Sequence, residues 1–154
     1  MDINTANPTT SSETPLDTMQ RIETAAQLCR EAGERFTPLR AHVFELIIAD
    51  GGAVKAYDLL ARLSPELGSP KPPTVYRALD FLSKMGLIHR VEALNAFVAC
   101  DHSHDGHLAE FFICEDCNKV EERHAHDHAS CKPDGFAIKR SIVEHYGTCA
   151  ACAA

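Results

Sequence analysis

The residues best suited to chemistry in this 154-residue chain are its cysteines and histidines, and most of them are crowded into its second half. Cys114-Glu-Asp-Cys117 and Cys149-Ala-Ala-Cys152 are two cysteine pairs, each with a two-residue gap. That gap lets both thiolates of a pair grip one ion from a tight turn, and two such knuckles complete a closed tetrahedral zinc site. A redox Cys-x-x-Cys would need no second pair. A closed four-sulfur site leaves no open position for a reacting group, so its expected role is folding and assembly.

A second, mixed set of donors surrounds the first pair: His89, Cys100, His102, His104, His107, Glu122, His124, His126, His128 and Cys131. Imidazole, thiolate and carboxylate together suit zinc better than iron(II) or manganese(II). One site built from these donors is expected, but spacing does not choose its ligands, because loops can bring any of them together. The run His124-Ala-His126-Asp-His128 reads equally as a weak further site or as a solvated loop. Cys29 stands apart, on the apolar stripe of a helix, and reads as core.

These donors sit in a soluble-type chain. Hydrophobic residues make up 45% and charged residues 24%, the usual globular proportions. No run approaches the roughly 18 apolar residues needed to span a bilayer, and no secretory leader is visible. An odd count of seven cysteines gives no disulfide framework, so a reducing, cytoplasmic setting is expected. The net charge of −7 argues against a bulk electrostatic nucleic-acid binder. Its distribution softens that: residues 21–92 carry +1, residues 93–154 carry −5 and residues 1–20 carry −3.

The elements that must position the donors follow from periodicity. Residues 1–17 are rich in Thr, Ser, Asn and Pro and read as a disordered tail. A helix is expected over Thr18–Ala32, with Met19, Ile22, Ala26 and Cys29 inward. Thr37-Pro38 starts a second helix that buries Leu39, Val43, Leu46 and Ile47 and ends at Asp50-Gly51-Gly52. A third covers Ala56–Leu63, with Tyr57 off its buried face. A fourth, over Thr74–Met85, buries Val75, Ala78, Leu79, Leu82 and Met85 and turns Tyr76, Arg77, Asp80, Phe81 and Lys84 outward, with Thr74 at its N-terminal end. Arg bonds bidentately to guanine, Tyr reaches a thymine methyl or a phosphate, and a helix N-terminus favours phosphate. The competing reading is an ordinary solvated face. Strands over Leu87–Val91 and Ala96–Cys100 complete a winged helix. Further strands are expected at Glu110–Cys114, Lys119–Glu122 and Phe136–Tyr146.

The run KPPTVYRALDFLSKMGLIHRVE (Lys71–Glu92) resembles the ferric uptake regulator family, in particular its zinc uptake regulator branch. TPLRAHVFELI (Thr37–Ile47), AYDLL (Ala56–Leu60), FICEDCNKV (Phe112–Val120) and GFAIKRSIVEHYGTCAAC (Gly135–Cys152) match the same pattern in the same order. The resemblance covers about residues 18–152. It implies an α+β chain with an N-terminal winged-helix DNA-binding domain (residues 18–95), a hinge (96–102) and a small α/β dimerisation domain with a four-cysteine zinc site (103–154). By resemblance, structural zinc falls on Cys114, Cys117, Cys149 and Cys152, and regulatory zinc on His89, Cys100, His107 and Glu122. Tyr57, Lys71, Thr74, Tyr76 and Arg77 are the implied DNA-binding side chains.

The implied protein is a homodimeric zinc-responsive repressor of zinc-uptake genes. Its partner is double-stranded DNA with a pseudo-palindromic operator, and it has no small-molecule substrate and no membrane association. An iron- or peroxide-responsive regulator is the alternative within the family, and a zinc-ribbon interaction adaptor is the alternative from another class. A zinc hydrolase is disfavoured, since no HExxH run is present. One region departs from the family pattern. Arg123–Asp134 is polar and His-rich where relatives have an apolar helix, which leaves open a third, weak metal site involving His102, His104 and the 124–128 run.

Overall fold

The computed structural model describes residues 15–63, 68, 70–100, 108–124, 132–138 and 141–154. Four helices come first: α1 (Pro15–Glu31), α2 (Pro38–Asp50), α3 (Ala56–Leu63) and α4 (Pro72–Lys84). A two-residue strand, β1 (Val54–Lys55), precedes α3, and β2 (Ile88–Val91) and β3 (Ala96–Ala99) follow α4. Together they form an antiparallel sheet in the order β1-β3-β2. The second sheet, β5-β4-β6, contains β4 (Leu108–Cys114), β5 (Val120–His124) and β6 (Ser141–Gly147), with β5 antiparallel and β6 parallel to β4. No described helix is long and apolar enough to cross a membrane.

Local chemistry explains most of the boundaries. The Thr37 hydroxyl accepts a hydrogen bond from the Arg40 N–H, and Pro38 opens α2 where a missing N–H costs nothing. Gly51 closes α2 at φ 68°, a backbone state that penalises a β-carbon. α2 buries Val43, Phe44, Ile47 and Ile48, adjacent pairs one turn apart. A single stripe would not need Phe44 and Ile48, but α2 is covered by both α1 and α4, so its apolar face is broader than the expected Leu39, Val43, Leu46 and Ile47. Complete burial of each large side chain contributes about 1.5–3 kcal/mol.

Three details differ from the sequence reading. α1 begins at Pro15, inside the expected tail, and buries Ala25 with Cys29 while Met19 is 64% exposed. Phe81, expected outside, is buried in the main apolar cluster, with the Arg40 guanidinium 3.5 Å from the centre of its ring. The last strand starts at Ser141, whereas residues 136–138 are not in a strand. β1 is too short to leave a period, and the turn between β2 and β3 is a 3-10 helix closed by Asn95 at φ 46°.

Two apolar clusters result. The larger joins all four helices with Ile88 and Phe97 of the wing. The smaller consists of Val91, Val98, Phe111 and Ile113, with Leu94, Cys100, Val120 and Ile142 packed around it. Strand alternation explains the division. Ile88 and Phe97 point to the helices, while Val91 and Val98 point away, toward the second sheet. The wing is therefore buried on both faces, and its outer face forms the joint.

Candidate metal centres and nucleic-acid interface

The four cysteines converge. Their sulfur atoms all lie within 4.8 Å of one another, and Cys117 Sγ is 3.7 Å from Cys149 Sγ. Four sulfurs about 2.3 Å from one ion at tetrahedral angles stand about 3.8 Å apart, so the spacing fits zinc. Each pair is set in a turn. Asn118, at φ 61°, donates its N–H to the Cys114 carbonyl, and the N–H groups of Cys152 and Ala153 bond to the Cys149 carbonyl. The Glu115 N–H bonds to the Gly147 carbonyl and ties the turns together. The Cys149 N–H reaches Cys114 Sγ at 3.3 Å. Backbone N–H bonds from Cys149 and Cys117 lower the Cys114 thiol to about 6, close to the thiolate form a metal requires. Hydrogen bonding with Cys149 and Cys117 pushes Cys152 up to about 12, so a metal bound here at neutral pH would displace its proton.

The joint holds a different chemistry. His89 lies opposite Val98 in the wing and is buried, with its ring stacked on Phe111 at 4.5 Å between centroids. Phe111 lies directly across from Glu122 on one side and from Glu144 on the other. Partners in register share a face, so two carboxylates flank the ring on which His89 rests. His89 Nε2 is 2.6 Å from Glu144 Oε1, and the Tyr146 hydroxyl donates to the other carboxylate oxygen. Burial opposes ionisation of Glu144, but the bonds from Tyr146 and His89 outweigh it and hold the carboxyl below its ordinary value. The same contact pushes Tyr146 up to about 12.

Cys100 follows β3 and is half-buried against the small cluster. Its N–H bonds to the Leu87 carbonyl, and its carbonyl accepts from Arg21 of α1 at 3.3 Å. Arg21 and Glu122 line one small cavity with Val98, Ala99 and Phe111. Of the expected regulatory set, His89, Cys100 and Glu122 thus all face the joint, while His107 lies outside the described residues. Among the described residues, only the four cysteines close into a compact donor cluster. His102, His104, His126, His128 and Cys131 also lie outside the described residues, as does the His124 side chain. The sequence reading missed Glu144. Its strand, SIVEHYG, shows no alternation that would mark Glu144 as inward; the cross-strand register with Phe111 is what places it there.

The expected DNA-contacting residues are all at the surface. Tyr57 is 79% and Tyr76 49% exposed, and Lys71, Thr74 and Arg77 are exposed with them on α3 and the start of α4. Exposed Tyr76 and Arg77, adjacent on α4, are side-chain types that a groove reader uses. The expected phosphate site on the N-terminal backbone of α4 is weakened. Its first two residues, Pro72 and Pro73, carry no N–H, and those of Thr74 and Val75 bond to the Lys71 carbonyl. The exposed polar side chains at that end of the helix are those of Lys71 and Thr74.

A family model described as the ferric uptake regulator family matches residues 31–145. The zinc uptake regulation protein of Escherichia coli K12 is 39% identical over 88% of this chain and 82% of its own length. The peroxide operon regulator of Bacillus subtilis is 26% identical over 85% and 92%. A zinc uptake regulator complexed with zinc and DNA superposes with a TM-score of 0.77, at 37% identity over 92% of this chain and 97% of that one. Holo XcZur superposes at 0.72 over 87% of this chain and 97% of its own, with 40% identity. Its apo form superposes at 0.53 over 90% and 99%, with 39% identity.

Proposed function

The chain belongs to the ferric uptake regulator family, and from that premise we propose that it is a zinc-responsive, DNA-binding transcription regulator. It acts mainly as a repressor of zinc-uptake genes, as a homodimer in the cytoplasm, on a pseudo-palindromic operator. The observation that carries this reading is the joint. Potential ligands from the wing (His89 and, at its exit, Cys100) face a carboxylate, Glu122, of the second sheet across the small cluster of Val91, Val98, Phe111 and Ile113. The closer likeness to the holo than to the apo form of one relative supports a zinc-holding arrangement of the two parts.

Helix α1, which begins at Pro15, opens the DNA-binding domain expected over 18–95, with 96–102 as the hinge and 103–154 as the dimerisation domain. Each chain takes one structural zinc on Cys114, Cys117, Cys149 and Cys152, and one regulatory zinc on His89, Cys100, His107 and Glu122. Zinc supplies a centre that imidazole, thiolate and carboxylate all favour. His89 and Cys100, committed to a shared centre with Glu122 and His107, fix the wing against the dimerisation domain. The reader helices of both protomers then meet successive major grooves, with Tyr57, Tyr76 and Arg77 contacting DNA and Lys71 and Thr74 nearby on phosphate. Coupling of this kind amounts to about 1–3 kcal/mol, or roughly 5–150-fold in DNA affinity.

The test is Cys100→Ser. Operator binding titrated against buffered free zinc should lose most of its zinc dependence in this variant, while the four-cysteine site keeps its metal. Full zinc dependence in Cys100→Ser would place the switch elsewhere.

A further inference from the structure

His89 is in contact with a group that the proposed regulatory set leaves out. Its Nε2 lies 2.6 Å from Glu144 Oε1, and both side chains are largely shielded, 11% and 20% exposed. The imidazole is fixed on a second side by its stack on Phe111, with only 16° between the ring planes. The carboxylate is fixed in turn by the Tyr146 hydroxyl on its other oxygen. The chain Tyr146–Glu144–His89 runs from β6 of the second sheet to β2 of the wing. A carboxylate that accepts from one nitrogen of a histidine fixes the ring's tautomer and orientation and makes the other nitrogen the better donor to a metal.

We propose that Glu144 is a positioning residue for the regulatory zinc: its carboxylate holds the proton on His89 Nε2, so that Nδ1 is the atom offered to the ion. This rests on the zinc-responsive reading above and extends it to a residue outside the ligand set. Glu122 and Glu144, the two carboxylates flanking Phe111, then have different tasks. Glu122 serves as a ligand, and Glu144 presets the histidine. Since Glu144 and His89 belong to different parts of the molecule, their bond also brings the wing to the sheet before metal arrives. That reduces the ordering left for zinc to accomplish.

The test compares Glu144→Ala with Glu144→Gln in the full-length dimer with structural zinc left in place. The first readout is affinity for the second zinc in competition with a chelating dye, without DNA. The second is the absorption spectrum of Co2+ bound at that site. A positioning role predicts about a 10–100-fold loss of affinity in Glu144→Ala. Glu144→Gln, whose amide oxygen still accepts from Nε2, should stay near wild type, and at saturation both variants should give the wild-type cobalt spectrum. Equal losses in both variants with an altered cobalt spectrum would make Glu144 a ligand and overturn the assignment. Unchanged or tighter binding in Glu144→Ala would overturn it as well. Wild-type protein that takes up only the structural zinc would sink the regulatory site itself, and this inference with it. Failure confined to the Glu144 variants leaves that reading intact.

Discussion

At the scale of single residues, two cysteines mark the range of roles one side chain can take here. Cys29 is completely buried among apolar neighbours in α1, and burial raises its thiol. Cys117 is exposed in a turn, 3.7 Å from Cys149. Cys29→Ser should destabilise the fold by about 1–3 kcal/mol through a buried hydroxyl, with zinc content unchanged by elemental analysis. Cys117→Ser should remove one zinc per chain. If about 3 kcal/mol of folding free energy goes with the metal, Tm falls by roughly 6–12 °C. The pH response follows from the same thiols. Cys114, lowered from an ordinary 9 to about 6, contributes stability to the metal-free fold that is full above pH 9 and lost as pH falls through 6. Cys117 is raised and Cys152 pushed to about 12, so zinc uptake at neutral pH should release a proton from each of these thiols. Calorimetry in buffers of different ionisation enthalpy would register that release.

Elements decide which side chains face solvent and which face the core, and α4 presents both. Arg77 lies on its exposed face, and Arg77→Ala should weaken operator binding by about 1–3 kcal/mol and relax base preference. Its thermal stability should stay within about 0.5 kcal/mol of wild type. Phe81, one turn on, is buried beside Arg40, and Phe81→Ala should cost about 3–5 kcal/mol in denaturant unfolding. The wing depends on its turn, where Asn95 sits at φ 46°. Asn95→Val should destabilise it by about 1–2 kcal/mol, whereas Asn95→Gly should be tolerated, as chemical unfolding would show. Much of this was legible beforehand. Thr37-Pro38 and Gly51 announce α2, and the spacing of Val75, Ala78, Leu79 and Leu82 announces α4. Phe81 was misread because its neighbours, the main apolar cluster and Arg40, belong to other elements, which no period within α4 records.

For the whole molecule, the legible part of the site is the part with local spacing. The Cys114/Cys117 and Cys149/Cys152 pairs are knuckles, and each knuckle is complete within a few residues. The joint is not local. His89, Phe111, Glu122 and Glu144 meet because β4 takes β5 antiparallel on one edge and β6 parallel on the other. No sequence spacing encodes that register, so Glu144 stayed hidden and the regulatory set came from family resemblance. Among the described residues the wing and the second sheet share one small cluster, Val91, Val98, Phe111 and Ile113, and a conformational equilibrium across it is what the proposed zinc switch requires.

The most direct measurement follows metal content per chain and operator binding together in one series of zinc buffers. The first zinc, on the four cysteines, should remain bound across the series. DNA binding should rise in step with the second zinc, and added operator should tighten that second zinc by the same factor, as reciprocity requires. High-affinity operator binding by protein holding only its structural zinc, or a second zinc that fills without any change in DNA affinity, would contradict the account.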